Sequence, residues 1–279
     1  MRVQRVVAGI GSAMLVMVTA PLATAQQPLA PVSTSGRSVS PVFEGWYKNP
    51  DGTFSISFGY FNRNSVETPE IPAGASNFVV PGDTNQGQPT HFEPRRHWGV
   101  FAVRVPANFG KQKVVWTLKS HGETISIPGS LHPDWQIDAL DGEAGSGNTP
   151  PVLKFEEQGP PGQGPAGVSA GPLTASVGRS TTLTVWASDD GKSSSSIGGT
   201  RKSAPVMLMW FKHQGPGTVT FGTPSANVEA TGGKATTSAT FSAPGAYMVR
   251  VRANDSAVAA SGHSQCCWTN GFLRIIVTP

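Results

Sequence analysis

The clearest pattern along the chain is the alternation of apolar and polar residues with period two, which is typical of strands that bury one face. After the turn Asn49–Gly52, four apolar side chains share one face and alternate with serine and glycine: Phe54, Ile56, Phe58 and Tyr60. In that turn proline presets φ and glycine tolerates a positive φ, so a β-hairpin is predicted. Because no stretch keeps the i, i+3, i+4, i+7 apolar spacing of a helix, we predict an all-β protein.

The same alternation recurs after residue 150 in about seven segments, at the spacing typical of a β-sandwich. The side chains expected to point inward are Leu183, Val185, Ala187, Leu208, Trp210, Tyr247, Val249 and Val251. The outward face would then carry Met207, Met209, Phe211, Met248, Phe272 and Ile276, interrupted by Arg250 and Arg252. Monomers rarely expose so much contiguous apolar surface. We expect this face to dock the first domain or a partner protein; the alternative is that residues 159–172 fold over it.

Residues 1–25 have the features of a secretory signal peptide. Arg2 and Arg5 precede an apolar run, and Ala23-Thr24-Ala25 is a small-x-small cleavage site. The run is shorter than the about 20 apolar residues that span a bilayer. The sequence therefore predicts an exported protein, periplasmic or extracellular, without a membrane span.

The rest of the chain is long enough for two domains of ordinary size. A polar leader, expected to be disordered, covers residues 26–38. We predict an N-terminal all-β domain at 39–140, a Gly/Ser linker at 141–149 and a second β-sandwich at 150–279. The 33 glycines and 24 prolines fit a protein rich in turns.

The charge balance gives no indication of a nucleic-acid partner. Lysine and arginine total 21 against 17 aspartates and glutamates, and two of the arginines lie in the predicted signal peptide. The basic residues do not cluster into a stripe, so no nucleic-acid contact is predicted. The oligomeric state is not predicted from the sequence.

The strings MLMWFKHQGPGTVTF and TTSATFSAPGAYMVRVRANDS, which lie between Met207 and Ser256, resemble the middle and back of a PKD/cadherin-like immunoglobulin-fold domain. The resemblance implies an immunoglobulin-like sandwich, with Trp210 in its core and Tyr247 as its corner tyrosine. Such sandwiches host many unrelated functions. The first domain, through strings such as GQPTHFEPRR and VWTLKSHG, resembles uncharacterised secreted bacterial proteins, and this resemblance implies no activity.

Two short stretches match the sequences of catalytic or cofactor-binding motifs, but their predicted structural context does not fit those motifs. Residues 167–171 match the nucleophile elbow and residues 162–167 match a dinucleotide-binding turn. Both need a strand before and a helix after, whereas here they share a loop rich in proline and glycine. We therefore favour a protein without catalytic activity.

Acidic residues are expected at one end of the second sandwich. Asp189 and Asp190 follow one predicted strand and Asp255 follows another, and the loops after these strands leave an immunoglobulin-like sandwich at the same end. Carboxylates that converge there are suitable ligands for calcium, as the family resemblance also implies. We favour ordinary turn chemistry with no cofactor, and calcium is the alternative.

The only two cysteines, Cys266 and Cys267, are adjacent. A vicinal disulfide, intermolecular bridges, or one buried and one exposed thiol all remain open, and we favour the vicinal disulfide in an oxidising compartment. His263 together with the pair is a weaker candidate for a soft metal ion. We predict that these residues and Trp268 lie at the centre of a binding surface formed by the two loops.

A further metal hypothesis rests on His91, Glu93 and His97. Pro94 interrupts the strand, however, and Arg95 and Arg96 offer Glu93 a simpler partner. The alternative is therefore a salt bridge at a sheet edge.

These observations favour a non-catalytic binding, adhesion or envelope accessory protein whose ligand is a protein or a glycan. The alternative is a carbohydrate-active enzyme or carbohydrate-binding protein with its site in the first domain. Candidate stacking residues and carboxylates for that site are Trp46, Trp98, Trp135, Glu44, Glu93 and Asp134. A cleft with paired acids would favour the enzyme.

Overall fold

A computed structural model describes residues 32–142, 147–192, 205–255 and 267–279. The predicted signal peptide, His263 and Cys266 lie outside these residues. The part described from residue 32 onward belongs to one compact unit of strands with a single short 3-10 helix, so the protein is all-β, as predicted. Within these ranges no helix is long and apolar enough to cross a membrane.

The N-terminal half contains two small antiparallel sheets. Their strands are β1 (Val39–Lys48), β2 (Phe54–Asn62), β3 (Asn77–Val80), β4 (Arg95–Val105), β5 (Lys113–Ser120) and β6 (Glu123–Ser130). One sheet has the order β1-β2-β4 and the other β3-β5-β6. The side chains of Ile56 and Phe58 from the first sheet pack with those of Val79 and Trp116 from the second, which makes this half a sandwich. The 3-10 helix Pro133–Trp135 follows β6.

The C-terminal half is an immunoglobulin-like sandwich. Its strands are β7 (Val152–Lys154), β8 (Val168–Ser176), β9 (Thr181–Ser188), β10 (Val206–Gln214), β11 (Val219–Phe221), β12 (Ser225–Val228), β13 (Gly233–Phe241), β14 (Gly245–Asn254) and β15 (Trp268–Thr278). One sheet has the order β12-β10-β14-β15-β8 and the other β11-β13-β9-β7. All the strand pairs are antiparallel except the parallel pair of β15 and β8.

The predicted inward face of this half is confirmed. Leu183, Leu208, Val249 and Val251 are fully buried in the core between the two sheets, and Trp210 lies beside them. The Tyr247 hydroxyl donates to the Ala243 carbonyl at 2.9 Å, a bond to the backbone just upstream that a corner tyrosine makes.

The outer face of the five-stranded sheet packs against the N-terminal half. Phe272 is a buried member of the N-terminal hydrophobic cluster, and Met248 packs on that cluster. The Phe211 ring contacts His97 edge to face at 6.2 Å between centroids. The expectation that residues 39–140 cover this face is confirmed for these side chains, whereas Ile276 stays 43% exposed.

The segment before β9 differs from its prediction. Residues 159–172 were expected to form a loop, but β8 already begins at Val168 and pairs with β15. The register shifts opposite Gly171 and Pro172. Because β8 is the edge strand of its sheet, the missing N–H of Pro172 is tolerated. The loop therefore does not cover the outer face, because its second part extends the sheet.

Candidate binding surfaces

Five strand ends meet at one end of the C-terminal sandwich. The start of β10 pairs with the end of β12 through Val206 and Val228, and the end of β14 pairs with the start of β15 through Asn254 and Trp268. Since Met207 also pairs with Asn254, these four ends are adjacent. The fifth, the end of β9, joins them where the Asp189 amide donates to the Ala230 carbonyl at 2.8 Å. Residues 193–204 and 256–266 are therefore attached at the same end, although they lie outside the described residues.

The three predicted aspartates lie at this end, in different surroundings. Asp255 is buried, and its Oδ2 accepts a hydrogen bond from Asn148 Nδ2 at 2.9 Å. Asp189 Oδ2 accepts from the Gly191 amide at 2.9 Å, which is an Asx-type turn contact. The exposed Asp190 accepts from the Thr149 hydroxyl at 3.0 Å.

Burial shifts the pKa of two of these carboxyl groups upward. Burial raises the pKa of Asp255 to about 8, and the neighbouring Cys267 and Asp189 raise it further in the same direction. Burial likewise raises the pKa of Asp189 above its usual value. The Oδ1 atoms of both carboxyls are buried without a hydrogen-bond partner. Each of these two carboxyl groups therefore leaves one buried oxygen without a hydrogen bond.

Cys267 and Trp268 are both buried, at 1% exposure each, whereas the sequence placed them at the centre of an exposed surface. The Trp268 ring lies on Gly99, where a Cβ atom would come within 2.7 Å of it. Trp98 packs against the same pair. The strand β15 already begins at Trp268, so this side chain becomes part of the contact between the two halves. The vicinal disulfide involves Cys266, outside the described residues, and stays a prediction.

His91 and Glu93 belong to a cluster of charges, and His97 packs on aromatic rings beside it. His91 Nδ1 lies 2.6 Å from Glu70 Oε1, and its Nε2 lies 3.2 Å from Glu93 Oε1. Burial opposes the imidazolium charge, but the hydrogen bonds to these two carboxylates outweigh burial and raise the His91 pKa to about 9. His97 stacks on Tyr60 at 4.8 Å.

The expected pairing of Glu93 with the arginines that follow it is not found. Arg96 instead binds Glu44 at 2.6 Å and stacks on the Trp98 ring at 3.6 Å. Across the ranges that the structure describes, no group of three or more His, Cys, Asp or Glu residues is arranged to hold a metal ion.

Sequence reasoning missed the basic residues that β10 and β14 bring to this cluster. The buried ammonium group of Lys212 donates to Glu70 Oε1 at 2.6 Å. The buried guanidinium group of Arg250 donates to Asn270 at 3.0 Å and stacks on Phe211 at 4.5 Å. The available signal was that Arg250 interrupts an otherwise apolar outer face, which indicated polar partners on the covering half.

Of the three tryptophans proposed for sugar stacking, only Trp135 is well exposed, at 55%. Trp46 is buried and donates its Nε1–H to the His132 carbonyl at 2.7 Å. Two of the proposed carboxylates are bound to basic partners, Glu44 to Arg96 and Glu93 to His91. Asp134 lies on the 3-10 helix with its side chain 82% exposed.

Comparison with known proteins identifies no family. No family model and no curated protein matches the chain. Solved structures that resemble it include the D00-D0 domain of intimin, with 12% identity over 87% of this chain and 100% of that chain and a TM-score of 0.29.

Domains 4 and 5 of the S-layer protein SbsC show 10% identity over 76% of this chain and 95% of that chain, with a TM-score of 0.26. WR4, a C. elegans MSP family member, shows 9% identity over 38% of this chain and 92% of that chain, with a TM-score of 0.25. Likenesses at these TM-scores carry no argument about function.

Proposed function

We propose that the protein is an exported, non-catalytic binding protein that contacts a protein or a glycan of the cell envelope. Its contact surface is the end of the C-terminal sandwich that carries Asp189, Asp190 and Asp255. The PKD/cadherin-like character of this half belongs to the same proposal.

The convergence of five strand ends supports this assignment. The described residues that flank 193–204 and 256–266 lie at the same end of the sandwich. Loops at one end of an immunoglobulin-like fold are the usual place for recognition. The hydrogen bond from Asn148 to Asp255 also ties the chain before the sandwich to this end.

The surroundings of the candidate carboxylates in the N-terminal half favour a binding protein over a glycosidase. A glycosidase needs two carboxyl groups about 5 to 9.5 Å apart across a cleft. Glu44 and Glu93 each form an ion pair with a basic side chain, and Asp134 lies on an exposed turn. These three residues are therefore poorly suited to act as a general acid and its partner.

The proposal is tested by cosedimentation of the full-length protein with purified envelope material. One variant replaces residues 193–204 and 256–266 with Gly/Ser segments of equal length. We expect it to lose at least tenfold in apparent affinity. The matched control, Arg179→Ser, changes the turn at the opposite end of β9 and should bind like the wild type. Equal binding by the loop variant and the wild type would refute the proposed surface.

Calcium at this end is a secondary proposal. Asp189 and Asp255 would supply carboxylate oxygens, and backbone carbonyls or water would complete the shell. Millimolar calcium should then raise the melting temperature of the wild type, and Asp255→Asn should remove that response. A wild-type melting temperature that is the same in calcium and in chelator would exclude the site.

A further inference from the structure

The N-terminal half carries an exposed aromatic groove that shares no lining residue with the proposed loop surface. Trp135 is 55% exposed at the end of the 3-10 helix. It lines an open groove of about 520 Å³ together with Pro41, Val42, Phe43, Lys113, Ile127, Pro128 and Ser130. A large apolar side chain left in water at such a place marks a contact site.

The indole is held in place by several contacts. The Phe43 ring supports it at 5.8 Å between centroids. The 3-10 helix is fixed to β1 from both sides, because Trp46 Nε1 donates to the His132 carbonyl at 2.7 Å and the Ile137 amide donates to the Trp46 carbonyl at 2.9 Å. A ring fixed in this way loses little conformational entropy when a ligand binds.

Glycine at two positions allows this arrangement. Gly45 has a φ of +124°, and a Cβ atom there would lie 2.6 Å from the Trp135 carbonyl oxygen. Gly129 lets β6 approach β1, since a Cβ atom there would lie 3.0 Å from the Phe43 ring. The groove therefore depends on close backbone packing that larger residues would prevent.

Proline on both neighbouring strands argues against a ligand that adds as a β-strand. β1 and β6 are edge strands of their sheets, and they carry Pro41 and Pro128 at the groove. Proline has no N–H to donate, so a partner peptide that added as a strand could not form a complete set of backbone hydrogen bonds there. The ligand must instead be recognised by side-chain faces and side-chain polar groups.

The rim of the groove supplies polar groups with balanced charge. Lys113 and Ser130 line the groove, and His132 and Asp134, which lie close to Trp135 in the chain, have side chains that are 60% and 82% exposed. One cation and one anion offer no net field that would select a charged ligand. They do offer hydrogen-bond donors and acceptors, which fix the orientation of a ligand with many hydroxyl groups.

We propose that Trp135 is the stacking platform of a carbohydrate-binding site for a neutral glycan. The C–H face of a pyranose ring packs on the indole face, whose quadrupole attracts the partly positive hydrogens. Lys113 and Ser130 on the groove wall hydrogen-bond to the ring hydroxyls. This site is separate from the loop surface proposed above and does not depend on it.

A printed array of neutral hexose and N-acetylhexosamine oligosaccharides tests the site, followed by isothermal titration calorimetry with the best binder. The wild type should bind at least one probe, and Trp135→Ala should weaken that binding at least tenfold. Trp135→Phe should keep part of the affinity because it retains an aromatic face. Lys113→Ala should weaken binding about threefold to tenfold through the lost hydrogen bond.

The matched control is Ile276→Ala, which removes an exposed apolar side chain from the other half and should bind like the wild type. Circular dichroism melting checks that each variant is folded. Three results would overturn the proposal: no binding of any probe by the wild type, equal binding by Trp135→Ala, or selective binding of a peptide in this groove.

Discussion

Asp255 is a buried carboxyl with a hydrogen bond to one oxygen and none to the other. Its folded pKa of about 8 lies far above the value of an exposed aspartate, because burial penalises the charge. The folded protein therefore binds one more proton than the unfolded chain between about pH 4 and pH 8. Stability is lost as the pH rises through this window.

Asp255→Asn removes that cost and keeps an oxygen to accept from Asn148. We expect its free energy of unfolding at pH 8 to exceed that of the wild type by about 1–3 kcal/mol, with a much smaller gain at pH 4.5. Urea melts at the two pH values measure this difference. Asp190→Asn, at an exposed neighbour, should change stability by less than about 0.5 kcal/mol at both. A less stable Asp255→Asn protein in the absence of calcium would contradict the burial argument.

His213 has the opposite pH dependence. Its ring is buried in the contact between the halves, where Nε2–H donates to the Gly87 carbonyl at 2.7 Å. Burial and the Arg250 charge lower its pKa to about 3. As the pH falls, the His213 ring takes up a proton in the unfolded chain before it does so in the folded protein. The stabilisation linked to neutral His213 is therefore complete above about pH 6.5 and is lost as the pH falls toward the pKa of the folded state.

His213→Gln keeps a donor near Gly87 but cannot be protonated. We expect the free energy of unfolding of this variant to fall less steeply between about pH 6.5 and pH 4, by up to about 1.4 kcal/mol per pH unit. Chemical denaturation across this range gives the slope. An unchanged slope would show that other groups, such as His97, dominate the acid response.

At the scale of elements, one face of β15 is buried against the N-terminal half at its start and exposed to solvent at its end. Phe272 is buried against the N-terminal cluster and contacts His213 at 5.2 Å, while Ile276 on the same face is exposed. The N-terminal half therefore covers the start of this strand and leaves its end open.

Phe272→Ala should cost about 3–5 kcal/mol of unfolding free energy, since it leaves a cavity between the halves. Ile276→Ala, four residues further along the strand, should cost less than about 1 kcal/mol. Paired urea denaturation curves give both values. Similar costs for the two variants would mean that the halves do not pack here in solution.

Period-two alternation predicted the inward side chains of β14, because Arg250 and Arg252 mark its opposite face, whereas in β10, where both faces are apolar, the expected core position of Trp210 decided. It could not predict what covers the opposite face. The partners of Arg250 and Lys212 come from distant parts of the chain, such as Glu70 and Tyr60. The burial of Trp268 depends on the space left at Gly99, which is distant in sequence. The residues around Trp268 therefore give no indication that its ring is covered.

At the scale of the whole molecule, the division into domains 39–140 and 150–279 stays a prediction. The two halves have separate hydrophobic clusters, but Phe272 belongs to the N-terminal one. Residues 150–279 expressed alone would expose Phe272 and the buried charge of Arg250. We expect this fragment to melt at least about 5 °C below the full chain and to bind a hydrophobic dye. An equally stable fragment would show that the halves fold independently.

The central claim is that the protein binds its envelope ligand through the end of the sandwich that carries Asp189, Asp190 and Asp255. Site-specific photo-crosslinking tests this claim most directly, with the photoreactive residue placed at exposed position 190 or, as the control, at position 179 at the opposite end. After incubation with purified envelope material, we expect strong crosslinks from position 190 and background levels from position 179. Equal crosslinking from both positions, or crosslinking from position 179 alone, would contradict it.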